Sequence, residues 1–220
     1  MNVAELESSY RSRFTDNVAQ LHALSNADYL SYLNEAQDEA CIRADLIFDK
    51  SSSFCTIAVT SAASVYTIDR SIYGINYARL IDSDGISSNL RIMTFDELDV
   101  VDPDWRNSVD RPWAIQHYNN SVELAYSPDS DYTLKIEVFR LAKRLTGDTS
   151  VPEISNTLHS PLNYWVLYRM YNSPDEDISN PRKAMENLIE FEKIFGTRPL
   201  AEHHKDKFSS RPHHNRCIPF

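Results

Sequence analysis

The chain has 220 residues, 42% of them hydrophobic and 25% charged, with a formal net charge of −10 at pH 7. That composition excludes bulk disorder, and the length suits one domain with arms around a sizeable core. The acidic balance argues against a nucleic-acid grip, which depends mainly on neutralising phosphates.

The charge is unevenly placed. From Thr197 onward five Lys or Arg stand against Glu202 and Asp206, a local net of +3, so residues 1–196 carry −13. No basic helix and no aromatic-basic face is apparent in that acidic part. A basic tail on an acidic body can find its own neighbour electrostatically. No apolar run approaches the roughly 18 residues of a membrane span, which predicts no membrane partner. The opening MNVAELESSYRSRF lacks the apolar core of a secretory signal. Cys41, Cys55 and Cys217 are odd in number and far apart, as suits free thiols in a reducing compartment.

Residues 1–24 are weakly periodic and read as an N-terminal arm, with a short helix expected around Val18 to Leu24. A long helix is then predicted over 26–49. Ser25 or Asn26 caps it, and Asp28 sits in its first turn, where the helix dipole favours an acid. Leu30, Leu33, Ala36, Ala40, Ala44 and Ile47 recur at steps of three or four and share one face. At 1.5 Å per residue, about 22 residues would span roughly 33 Å. The alanines on that face allow close helix approach.

After Asp49 the pattern turns to β-branched and aromatic residues. The run SSFCTIAVTSAASVYTIDRSIYGINYARLI breaks at TSAAS and near Gly74, predicting two or three strands. SDGISSN reads as a turn and LRIMT as a further strand. Thr94 with Glu97 forms a capping box for a short helix in TFDELDVV. WAIQHY, SVELAY and YTLKIEVFRLAKRL are three more strands, separated by NN and SPDSD turns. Five or six antiparallel strands over 53–145 imply a sandwich or a small barrel.

Helices return over 160–195. Ser160-Pro161 and Asn180-Pro181 each read as an N-cap followed by an N1 proline. Ala184, Leu188, Phe191 and Phe195 line one face before Gly196 closes the last helix. The fold class expected is α+β. A long N-terminal helix packs with a C-terminal helix pair, an antiparallel β-sandwich or small barrel is inserted between them, and an extended tail follows. Residues 25–196 then form one domain and 197–220 the tail. Phe208, Ile218 and Phe220 are apolar anchors there and Arg211 and Arg216 its charged partners, so these five are the candidate docking residues.

The search for chemistry returns little. Four glycines supply no GxGxxG, P-loop or GxSxG, so phosphate cradles and nucleophile elbows lack their backbone. His203-His204 and His213-His214 point apart in extended chain and read as tail residues rather than metal ligands. His159 reads as a cap or packing residue, and His22 and His117 have no evident partner. Cys41 on the apolar stripe reads as core, and a Cys–His nucleophile would need Cys55 or Cys217 beside a histidine in space. DSDG, DPDWR and SPDSD lack the twelve-residue calcium ladder and read as turns. Trp105, Trp113 and Trp165 read as core or interface packing rather than a stacking face. The sequence argues against an enzyme, a metal or a cofactor.

The stretch LSNADYLSYLNEAQDEACIRADLIFD resembles the leading signature of the tailed-bacteriophage head-to-tail adaptor (connector) family. Leu30, Tyr32, Asn34, Glu35, Ala36, Gln37, Glu39, Arg43, Leu46 and Ile47 carry the match. Further marks follow in order: Tyr66 to Asp69, Trp105-Arg106, Pro112-Trp113, Val122 to Pro128, Pro152 to Ile154, His159 with Leu162 and Trp165, and Phe191 to Pro199. The resemblance spans roughly residues 25–200 and leaves the first 24 residues and the tail without a template. It implies a structural virion protein at the head–tail junction, made in the host cytoplasm. It also implies a ring subunit, usually dodecameric, between the portal and the tail or a second adaptor (nozzle) protein, with double-stranded DNA passing through non-specifically. It implies no active site. The residues alone also admit a non-catalytic β-sandwich module binding carbohydrate or peptide. A Cys-dependent hydrolase fits them least.

Overall fold

The computed structural model describes residues 1–14, 24–174 and 179–199. Its fold class is α+β, with five α-helices and one curled, mixed sheet among the described residues. The chain divides into two compact units. One joins Met1–Ile47 to Leu141–Arg198, and the other is built on Phe48–Arg140.

The first unit is helical. Helix α1 (Val3–Phe14) begins with a reciprocal capping box, in which Glu5 N–H donates to Asn2 Oδ1 at 2.9 Å and Asn2 N–H to Glu5 Oε2 at 3.1 Å. Its Val3, Leu6 and Tyr10 are buried at helical spacing. This helix lies in the stretch read as an arm, whereas the expected helix at 18–24 falls almost wholly outside the described residues. Helix α2 (Asn26–Ala44) is capped by Ser25, whose hydroxyl accepts from Asp28 N–H at 3.1 Å. It is shorter than the predicted 26–49, because Asp45 turns into the left-handed region at φ 48 and stops it. Asp tolerates that conformation better than most non-glycine residues. Nineteen residues give a rod of about 28 Å. Leu33, Ala36 and Ala40 are fully buried on its stripe, whereas Leu30 is half-buried and Ala44 exposed.

Helix α4 (Leu162–Tyr171) packs against α2 and against α5 (Pro181–Phe195). Pro161, rather than Ser160, occupies the cap position of α4. The cap of α5 is Asn180 with Pro181 at N1, and Gly196 ends it at φ 84, in the region that favours glycine. Tyr10, Tyr29 and Asn163 join three helices. Tyr29 Oη donates to Asn163 Oδ1 at 2.9 Å, Asn163 Nδ2 to Leu6 O at 3.0 Å, and the two tyrosine rings lie 5.2 Å apart.

The second unit is a sheet with one helix. Its strands are β1 (Phe48–Asp49), β2 (Thr56–Val59), β3 (Val65–Thr67), β4 (Ile72–Ile81), β5 (Ser87–Ile92), β6 (Ala114–Tyr118), β7 (Ser121–Leu124) and β8 (Tyr132–Arg140). They are ordered β1-β8-β4-β5-β6-β7-β3, with β2 also on β8. The antiparallel sandwich or small barrel expected is therefore corrected to a single sheet curled as a half-barrel. Nor is the sheet wholly antiparallel, since Arg91 pairs with Ala114 in a parallel β5–β6 ladder. The physical reason is the connection. Helix α3 (Phe95–Val101) and the loop after it intervene between β5 and β6, and a long crossover with a helix suits parallel neighbours where a hairpin cannot. The Thr94–Glu97 capping box that starts α3 is formed on both sides.

The inner sheet face packs Ile75, Ala78, Leu80, Leu90, Ile115, Leu124, Leu134 and Val138 into one core. A second, smaller core of Leu98, Trp105, Ala114 and Ala125 sits under α3. Buried Asp49 and Arg140 bring β1 and β8 together. Asp49 Oδ2 accepts from Arg140 Nε and from Ser52 Oγ, each at 2.7 Å, and Oδ1 from the Ser51 and Ser52 N–H groups at 3.0 Å. Burial opposes the carboxylate's charge, but these hydrogen bonds outweigh it and hold its pKa well below the usual carboxylate range. A depressed pKa contributes stability that is complete above the unfolded value near pH 4 and is lost as pH falls below it. Asp49→Asn is expected to cost about 3–5 kcal/mol at pH 6 by removing the buried charge on which Arg140 Nε, Ser52 Oγ and two backbone N–H groups converge. The gap between the two urea midpoints should narrow steadily from pH 4 to pH 2.

Candidate functional site

The residues that carry the family resemblance on α2 do structural work. Arg43 is nearly buried, with 4% of its side chain exposed, and its guanidinium carbon lies 5.3 Å from the ring centres of both Trp165 and Phe191. Its Nε donates to Glu39 Oε2 at 3.1 Å, and its Nη1 to Glu192 Oε1 at 3.2 Å and to Gly196 O at 3.1 Å. The cation thus meets the C-terminal end of α5, where the helix dipole favours it. Glu39 also takes Arg198 Nη1 at 3.1 Å. Asn34 acts as a strand would. Its Oδ1 accepts from Leu145 N–H at 2.8 Å and its Nδ2 donates to Leu145 O at 3.0 Å, fixing the chain where it returns to the helical unit. Glu35 pairs with Arg169 at 3.2 Å, and that guanidinium lies 5.4 Å from the Tyr32 ring centre.

The candidate chemical groups are spent on the fold. His159 is fully buried, with Nε2 2.9 Å from Ile154 O and Nδ1 3.1 Å from Met1 O. His117, which had no evident partner in the sequence, has its Nε2 2.9 Å from Asn119 O, and burial pulls its pKa down. Cys41 is buried within α2. Cys55 Sγ faces Asp49 O at 3.7 Å, and burial followed by the nearby Asp49 charge pushes its thiol up, away from the thiolate a nucleophile needs. Asp69, Asp82 and Asp102 each accept a backbone N–H two residues on, as turn-forming acids do. No group of three His, Cys, Asp or Glu among the described residues could hold a metal ion. Trp105 and Trp165 are buried, and Trp113 is half-buried against Tyr126 in a shallow groove with Asn89, Arg91, Val101 and Asp102. His22, the paired histidines, Cys217 and the docking residues Phe208, Arg211, Arg216, Ile218 and Phe220 lie outside the described residues.

One feature contradicts the sequence reading. Residues 1–196 do contain a basic face with aromatic neighbours. Arg79 on β4 lies directly opposite Lys135 on β8 and Asn89 on β5, and Arg91 is the next outward residue of β5. All three cations are exposed. Tyr77 lies on the same face and donates its hydroxyl to Asn89 Oδ1, while Trp113 follows across the parallel ladder. The cations come from separate strands, so no local pattern could reveal the cluster. Only the register does.

The described residues thus define a packing scaffold with a charged surface, and no nucleophile–base pair is assembled in it. A model of the SU10 adaptor protein family matches residues 1–215, and the chain belongs to that family of phage head-to-tail adaptors. The match takes in the first 24 residues and most of the tail, beyond residues 25–200, which carry the resemblance. No curated protein matches the chain. The family is a structural one, which makes this a bacteriophage structural adaptor. None of the described helices is long and apolar enough to cross a membrane.

Proposed function

We propose that the chain is one subunit of a dodecameric ring at the head–tail junction of the virion, joining the portal to the tail or to a second adaptor and surrounding the path of the DNA. The observation that carries this reading is the family match over residues 1–215. The −13 carried by residues 1–196 supports it. An acid-dominated lining repels phosphates, so duplex DNA slides through without being held. Arg198 stays on Glu39 of its own chain, and the basic tail beyond it reaches a neighbouring subunit or the portal, with Phe208, Ile218 and Phe220 as buried anchors and Arg211 and Arg216 meeting acidic surface.

Deleting residues 200–220 tests the tail's part in this. The shortened chain is expected to keep its circular dichroism and melting temperature but to fail to attach to portal-bearing heads in a complementation assay. Full attachment of the shortened chain would remove the tail from the account.

A further inference from the structure

The outward face of the sheet breaks a pairing rule. Like charges directly opposite on neighbouring strands repel, and such positions normally hold opposite or neutral partners. Arg79 and Lys135 are opposite each other, and Arg91 is on the diagonal, about 7–8 Å away by sheet geometry. None of the three has an ion pair or side-chain hydrogen bond among the described residues. Glu137 shares the face opposite Tyr77 and Asp102 lines the groove beside Arg91, and neither forms an ion pair with the three cations. A local conflict with no compensation inside the fold points to a function outside it.

What meets this face must be acidic. The segment Phe48–Arg140 carries fourteen Asp or Glu against eight Lys or Arg, so the field around the cluster repels duplex DNA. The same unit offers an acidic counterpart at α3 and the turn after it. Asp96 and Asp104 are exposed there beside Val100, which is 83% exposed, while Asp99 is already paired with Arg106. Apolar residues ringed by charge form the core and rim of a protein contact. In a closed ring each copy gives one surface to one neighbour and a different surface to the next.

We propose that the face bearing Arg79, Arg91 and Lys135 docks the α3 shoulder of a second copy, with Val100 between the opposed charges. This rests on the ring reading above and adds which surfaces meet. Arg79→Glu is the decisive variant, because it turns a repelling pair into an attracting one on the same face. Its melting temperature should hold or rise while self-association of the full chain, followed by sedimentation, weakens about tenfold or more. Mixing R79E/K135E with D96K/D104K, which restores opposite charge across the contact, should recover association that neither variant shows alone. If the wild type assembles and R79E/K135E assembles equally well, this contact is wrong and the ring stands. A wild type that never self-associates, in solution or on portal-bearing heads, overturns both. Salt-sensitive binding to duplex DNA that R79E abolishes would assign the face to phosphate and overturn the contact between copies.

Discussion

Ala40→Arg is expected to remove most of the stability of the helical unit. Ala40 is fully buried on the side of α2 that packs against α4. Arginine there must bury an unpaired charge or push the helices apart. Burying it costs about 3–5 kcal/mol and overpacking about 1–3 more, against total stabilities of about 5–15. A chain that expresses in inclusion bodies, or that melts far below the wild type, is the expected result. Ala36→Arg should behave alike, whereas Ala44→Arg should be nearly silent, because Ala44 is exposed at the end of the same stripe.

Arg43→Ala is the second large effect, about 3–5 kcal/mol by urea unfolding. It leaves Glu39 with only Arg198, frees Glu192, and opens space between the Trp165 and Phe191 rings. Lysine should rescue little, because its single ammonium cannot reach two carboxylates and a helix-end carbonyl while lying flat between two rings. A loss equal to that of Arg182→Ala would contradict the role given to Arg43. Arg182 makes a pair of the same kind within its helix, but 89% of its side chain is exposed, where such pairs contribute little.

What the sequence makes legible here is local. Ser25, the Thr94–Glu97 pair and the Asn180-Pro181 pair start helices because a cap needs only three or four consecutive residues. The same logic applied to Asn2 and Glu5 would have found α1, whose mixed charges blur its apolar stripe of Val3, Leu6 and Tyr10. Register is not local. Nothing near Arg91 announces a parallel ladder with Ala114, so the sheet's closure and its mixed character stay hidden. The basic face is hidden for the same reason, and so is the role of Asn34, whose partner Leu145 is distant in sequence. The end of α2 is hidden in the sequence because Asp45 takes a left-handed conformation that a glycine would advertise. The family itself was readable, since many weak marks in a fixed order survive without any contact being known.

The central claim is that twelve copies of this chain close a ring at the head–tail junction, and imaging that vertex by electron cryomicroscopy of the assembled particle tests it most directly. Twelve copies around an open, acid-lined channel between the portal and the tail are the expected result. A vertex that lacks the chain, or holds it as isolated copies outside the channel, would contradict it.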